Sequence, residues 1–208
     1  MAIAARALAL PHPTMYSEEE YLRLENDAFE KSEYFQGQII KMSGAAPNHN
    51  RVKENVIGEI YQVLKKNKSC RSSSSDQRIH IPANSLYTYP DIVIVCGANQ
   101  FSKLDRITII NPSVIIEILS PFTCEYDRGQ KFKLYRDIET LQEYVTIDSR
   151  KADAQVFRRM PGNQWILADD AFSLTETITI QTIGATLQMA DLYDGTENVT
   201  SLVPPPKE

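Results

Sequence analysis

The 208-residue chain carries 22 basic and 27 acidic residues, a formal net charge of −5, with 42% hydrophobic and 24% charged residues. That is the length of one domain, large enough to bury a core that needs neither a disulfide framework nor a structural metal. An acidic balance argues against a protein held on nucleic acid mainly by a broad basic surface.

Residues 1–13 combine a short apolar stretch with a single Arg and end in Pro-His-Pro. They read as a flexible tail rather than a targeting segment. Ser17 followed by Glu18, Glu19 and Glu20 marks a helix start with Glu20 at the capping-box offset. Glu33–Gln36 and Gln38–Met42 flank Gly37, which predicts a hairpin. Asn48 is placed to cap a longer helix, in which Val52, Val56, Ile60, Val63 and Leu64 recur at three- to four-residue steps. The polar stretch Ser69–Asp76 reads as an edge strand or a mobile loop beside a cleft. Ile92–Val95 and Val114–Leu119 are nearly continuous β-branched runs, the pattern of strands buried on both faces. A helix is expected over Arg128–Glu139, then a strand at Tyr144–Ile147. Further strands are expected at Gln155–Arg159, Gln164–Ala168 and Thr177–Ile180. The Pro-rich end closes a second flexible tail, 196–208. The order gives a mixed α/β domain over 14–195 with a central sheet flanked by helices.

Charge is unevenly distributed. Residues 49–80 carry seven basic and three acidic groups, whereas 160–208 carry one and seven. Arg51, Lys53, Lys65, Lys66 and Lys68 could meet a phosphate backbone, but they fall mostly off the apolar stripe of their helix, as a solvated face does. Cys70, Cys96 and Cys124 form no CxxC pair and read as reduced thiols in a cytoplasmic protein. No apolar run approaches the roughly 18 residues that span a bilayer.

Two carboxylates sit where carboxylates are costly. Asp91 opens the strand Ile92–Val95, and Glu117 is the lone charge in Val114–Leu119. A buried carboxylate protonates unless a cation or hydrogen bonds satisfy it. One on each of two core strands suggests a shared hard cation, Mg²⁺ or Mn²⁺; alternatively Asp91 caps a turn and Glu117 pairs with an arginine. In the following helix Lys131, Leu134, Tyr135 and Ile138 lie at i, i+3, i+4 and i+7. Lys131 therefore shares the apolar face, whereas Lys133 points outward with Asp137 as partner. Lys131 could orient a water and stabilise a phosphoryl anion, or snorkel from the core edge.

These residues resemble a known family. Tyr89-Pro90-Asp91, then Ile115–Pro121 around Glu117, then Asp127, Lys131 and Tyr135, then Glu143–Asp148 are similar to the Uma-type restriction endonuclease family of the PD-(D/E)XK nuclease superfamily. Tyr16–Tyr21, Ser32–Ile39 and His49 extend the likeness to roughly 14–195. The resemblance implies a restriction-endonuclease-like mixed sheet flanked by helices and a divalent-metal phosphodiesterase site. Asp91 matches the PD aspartate and Glu117 the (D/E) position. The residue two beyond Glu117 is Leu119, not lysine, so Lys131 takes the lysine's place. Glu33 matches an early acidic residue that either completes the metal shell or holds the hairpin. The implied activity is Mg²⁺-dependent endonucleolytic cleavage of DNA. A homodimer is expected if cleavage is sequence-specific. The other reading is a catalytically silent nuclease-fold binding or regulatory module.

Overall fold

The computed structural model describes residues 14–66, 68–121 and 124–201. The expected N-terminal tail and the far end of the C-terminal tail lie outside them.

Helix α1 (Glu18–Asp27) begins with the expected capping box. The Ser17 hydroxyl accepts from Glu20 N, and the Glu20 carboxylate accepts from Ser17 N. The hairpin follows as β1 (Ser32–Phe35) and β2 (Gln38–Lys41). Its two turn residues, Gln36 and Gly37, both have positive φ (46° and 93°), the twist that closes a tight hairpin. Helix α2 (Pro47–Lys66) buries Val52, Val56, Ile60 and Leu64 on one stripe. Asn48 lies inside this helix rather than capping it: its side chain donates to Glu197 O and accepts from Glu197 N. It pins the chain near 197 to the head of α2.

Strands β3 (Cys70–Ser74), β4 (Ile79–Ile81), β5 (Leu86–Thr88), β6 (Ile92–Cys96) and β7 (Val114–Leu119) come next. The helix expected over Arg128–Glu139 instead runs without interruption over 124–135, as α3 (Cys124–Tyr126), a π-turn (Asp127–Lys131) and α4 (Phe132–Tyr135). Then follow β8 (Glu143–Asp148), β9 (Lys151–Ala152), β10 (Ala154–Met160), β11 (Gln164–Ala171), β12 (Thr177–Ile180), β13 (Ala185–Gln188), α5 (Met189–Leu192) and β14 (Thr200–Ser201). The short β14 pairs in parallel with β9.

Two sheets organise these elements. The six-stranded sheet has the order β11-β10-β8-β7-β6-β3, and the four-stranded sheet β2-β1-β5-β4. In the larger one only the β7–β8 pair is parallel. Its two faces bury different cores. Ile92, Ile94, Val114, Ile116 and Ile118 pack with the α2 stripe. Val93, Val95 and Ile115 pack on the other side with Tyr135, Ile138 and Tyr144. Tyr21, Tyr34 and Tyr87 form a third cluster that seats α1 on the smaller sheet. Trp165 packs edge-on against Phe132, a core role.

Strand β3 is the expected edge strand, and it corrects the reading of the thiols. Cys70 and Cys96 lie directly opposite in the β3–β6 register and are joined in a disulfide, leaving Cys124 free. Twenty-six residues of sequence separation conceal that pairing until the register is known.

Glu143, at the start of β8, is fully buried. Its carboxylate accepts from Arg158 Nε (2.8 Å) and from the backbone N–H groups of Gln181 and Thr182 (3.1 and 2.7 Å). It ties β8, β10 and the turn after β12 together. Glu143→Ala strands a half-buried guanidinium partner and two backbone donors. It should cost about 3 kcal/mol or more in urea denaturation.

Candidate active site

Alternation along the strands places the two expected carboxylates together. Asp91 precedes β6 in phase with Val93 and Val95, and Glu117 is in phase with Ile115. Both therefore leave the larger sheet on the face that packs against α4. The antiparallel pair β6–β7, with Ile92 opposite Ile116, brings them side by side. Each then holds the other's backbone: Asp91 N donates to Glu117 Oε2 (3.3 Å) and Ile118 N donates to Asp91 Oδ2 (2.9 Å).

Lys131 closes the group. Its Nζ lies 3.0 Å from Glu117 Oε1, 3.3 Å from Glu33 Oε1 and 3.7 Å from Asp127 Oδ1. Its side chain is buried, as the helical face argument requires. Glu33 arrives from β1 on the smaller sheet. The Thr88 hydroxyl from β5 donates to the same Glu33 oxygen. Glu33 thus braces Lys131 and ties β1 to β5.

A π-turn carries two members of the group. Asp127 and Lys131 are its first and last residues, and residues four apart on a helix lie beside each other. Such turns recur at functional sites. Tyr144 OH donates to Asp127 O and fixes the turn to β8.

Several participants were not singled out from sequence as site residues. The Tyr135 hydroxyl donates to Glu117 Oε1 (2.7 Å). His49 Nε2 lies 3.2 Å from Asp91 Oδ2, while its Nδ1 is buried with no hydrogen-bond partner. His49 continues the buried stripe of α2, three residues before Val52; a polar residue on that stripe was the available signal. Asp127 was legible only as part of the family pattern. Lys133 remains exposed, and its expected partner Asp137 accepts from Asn84 Nδ2 (2.9 Å) instead.

The carboxylates Glu33, Glu117 and Asp127 converge on one ammonium, and Asp91 lies beside Glu117. Burial pushes Glu117 up to about 7; the Lys131 charge opposes this, while Asp127 and Asp91 add to it. Burial alone would lower Lys131, but Glu117, Tyr135, Glu33 and Asp127 hold it well above the ordinary lysine value. Burial, then Glu117, keeps the Tyr135 phenol neutral, so it remains a donor. The group floors a cleft of about 1320 Å³. Among the described residues, no set of three or more His, Cys, Asp or Glu has the arrangement of a complete metal cage. Asp91 and Glu117 together offer two hard oxygen donors, which suits a cation that keeps several waters. Of the basic helix residues, Lys53 lines this cleft. No helix among the described residues is long and apolar enough to cross a membrane.

The profile of the Uma2 family, described as "putative restriction endonuclease", matches residues 18–190, and the chain belongs to that family. An uncharacterised Synechocystis sp. protein, sll1609, is 35% identical over 150 residues, covering 72% of this chain and 84% of its own. A second, slr1290, is 29% identical over 191 residues, covering 92% and 97%. A crystallised protein from Anabaena variabilis, described as a putative nuclease belonging to DUF820, shares the fold. Its TM-score is 0.66 at 21% identity, covering 84% of this chain and 96% of its own. Family membership and fold together support a nuclease.

The raised Glu117 value gives a signed pH dependence. Unfolded, the carboxyl titrates near 4.5; folded and free of added cation, near 7. Between these values the unfolded chain has already released the proton that the folded chain retains. Stability attributable to Glu117 is therefore full below the lower value and is lost as pH rises towards the upper one. Urea denaturation of wild type against Glu117→Gln, without divalent ions, should show wild type losing ground across that window. Carbon NMR should place the Glu117 titration near 7.

Proposed function

We propose that the chain is a divalent-metal-dependent endonuclease that hydrolyses phosphodiester bonds of DNA, with Mg²⁺ or Mn²⁺ as cofactor. The observation that carries this reading is the Asp91–Glu117 clasp, with the buried Lys131 ammonium 3.0 Å from Glu117, at the floor of a cleft. The donor chemistry fits the ion. Three carboxylates face one lysine with Asp91 beside them, and burial together with the acidic neighbours Asp127 and Asp91 pushes the Glu117 carboxyl up, so added positive charge is favourable there. Bound by Asp91 and Glu117, such an ion would polarise a phosphoryl oxygen and acidify a water.

The protein's own groups prepare the rest. His49 and the Ile118 N–H both engage Asp91 Oδ2 and hold that carboxylate still. Tyr135 and Lys131 both engage Glu117 Oε1, which favours its ionised form and fixes its rotamer. Glu33, steadied by Thr88, sets where Lys131 points. An ammonium has three donors. Glu117 and Glu33 lie within hydrogen-bond distance and Asp127 farther off at 3.7 Å, so a donor turned from Asp127 could orient the attacking water or meet the growing phosphoryl charge.

Nicking of supercoiled DNA in Mg²⁺ or Mn²⁺ tests this. Asp91→Ala and Glu117→Ala should lower the rate about 10³-fold, and Lys131→Ala about 10²-fold. Calorimetry should show ion binding by wild type and its loss in Asp91→Ala. Equal nicking by Glu117→Ala, or no ion binding by wild type, would defeat the proposal. Intact DNA binding without cleavage would identify a binding module on a nuclease fold.

A further inference from the structure

The reacting groups are recessed. The Glu117, Lys131 and Asp91 side chains keep only 5%, 8% and 14% of their surface exposed. A phosphate must descend into the cleft to meet them. A strand held in a stiff duplex carries its partner with it and cannot follow easily, because local separation or sharp bending costs energy.

The wall above these groups is of a different character. Phe29, in the turn between α1 and β1, is fully exposed, and Ile40 and Met42 on the β2 side are also exposed. All three line the same cleft as the recessed carboxylates. Large apolar side chains left in water beside a polar site are a recognition feature when they cluster. Lys31, Lys41 and Lys53 line the cleft with them; Lys31 is paired with Asp76 and the exposed Lys41 loosely with Glu30, so a phosphate would compete with those carboxylates. A cationic rim along an aromatic and aliphatic wall suits a chain of phosphates whose bases are free to stack.

We propose that this cleft takes an unpaired DNA strand, with a base against Phe29, Ile40 and Met42 and its backbone phosphates on the lysine rim. The proposal deepens the nuclease reading and rests on it for the fate of the bound strand. A paired strand has its bases occupied and gains nothing from the wall. An unpaired one covers exposed apolar surface while feeding a phosphate to the floor. Mg²⁺-dependent nicking of supercoiled DNA would then start where the duplex is transiently open.

Fluorescence anisotropy in Ca²⁺ tests the proposal with the full chain, using a labelled 12-nucleotide single strand and a blunt duplex of the same sequence. The single strand should bind roughly tenfold more tightly, and Phe29→Ala should erase roughly that advantage without changing duplex binding. Phe29→Trp should retain it. Because Phe29 is fully exposed, these variants should keep the wild-type unfolding transition, which circular dichroism checks. Equal affinity for both DNAs, or a single-strand affinity indifferent to Phe29→Ala, would overturn the proposal. A parallel cleavage assay in Mn²⁺ separates the two readings. Phe29-dependent single-strand binding without cleavage would remove the nuclease and keep the groove. Cleavage of duplex and single strand alike, insensitive to Phe29→Ala, would keep the nuclease and remove the groove.

Discussion

One buried ammonium organises the cleft. Lys131 stands within reach of Glu117, Glu33 and Asp127, and each belongs to a different part of the fold: β7, β1 and the π-turn. Such a cluster is not an economical way to fill space. A buried ion pair is often matched or bettered in stability by apolar residues of similar volume, by about 1–4 kcal/mol. Here the surplus is acidic, so the lysine cannot neutralise all its neighbours, and Glu117 is left with a raised affinity for its proton. A fold that retains this arrangement carries a local cost, which the two apolar cores on either side of the main sheet offset.

The cost is contained because every charged group is anchored by backbone or by a rigid neighbour. Asp91 and Glu117 grip each other's strand through main-chain N–H groups, so neither can swing away without breaking sheet geometry. The Thr88 hydroxyl on β5 holds Glu33, and only Tyr89 and Pro90 separate Thr88 from Asp91. The smaller sheet therefore delivers two things to the same place: Glu33 directly, and Asp91 through the segment that leaves β5. The site forms where the two sheets meet, and its precision follows from their registers.

Much of this was legible in the sequence. Asp91 and Glu117 stood out because a charge in a β-branched run has few physical explanations. Lys131 stood out because helical spacing put it on an apolar face, a conclusion that survives the π-turn there. The π-turn itself was not legible: Tyr144 on β8, which donates to Asp127 O, is a non-local partner with no local signature. Tyr135 read as core, and it is core, but its hydroxyl serves Glu117. The Cys70–Cys96 pairing required the β3–β6 register, a non-local property that composition and cysteine counting do not carry. Hydrophobic alternation reveals which face a residue takes. It is silent on which strand becomes the neighbour.

The net charge of −5 first argued against a polyanionic partner. The structure relocates that argument. The buried carboxylates Glu33, Glu117 and Asp127 outnumber Lys131 at the cleft floor, whereas Lys31, Lys41, Lys53 and Glu30 line its more open part, so the average describes neither place. A phosphate can approach the rim by ordinary attraction, yet near the floor it meets several carboxylates in a setting where water screens poorly. On the proposed reading, the approach becomes favourable only once positive charge has been added between Asp91 and Glu117. Cation binding and strand entry are then linked, each raising the affinity of the other. The acidity that counted against a nucleic-acid partner is, at the floor of this cleft, what makes the partner's arrival conditional on the ion.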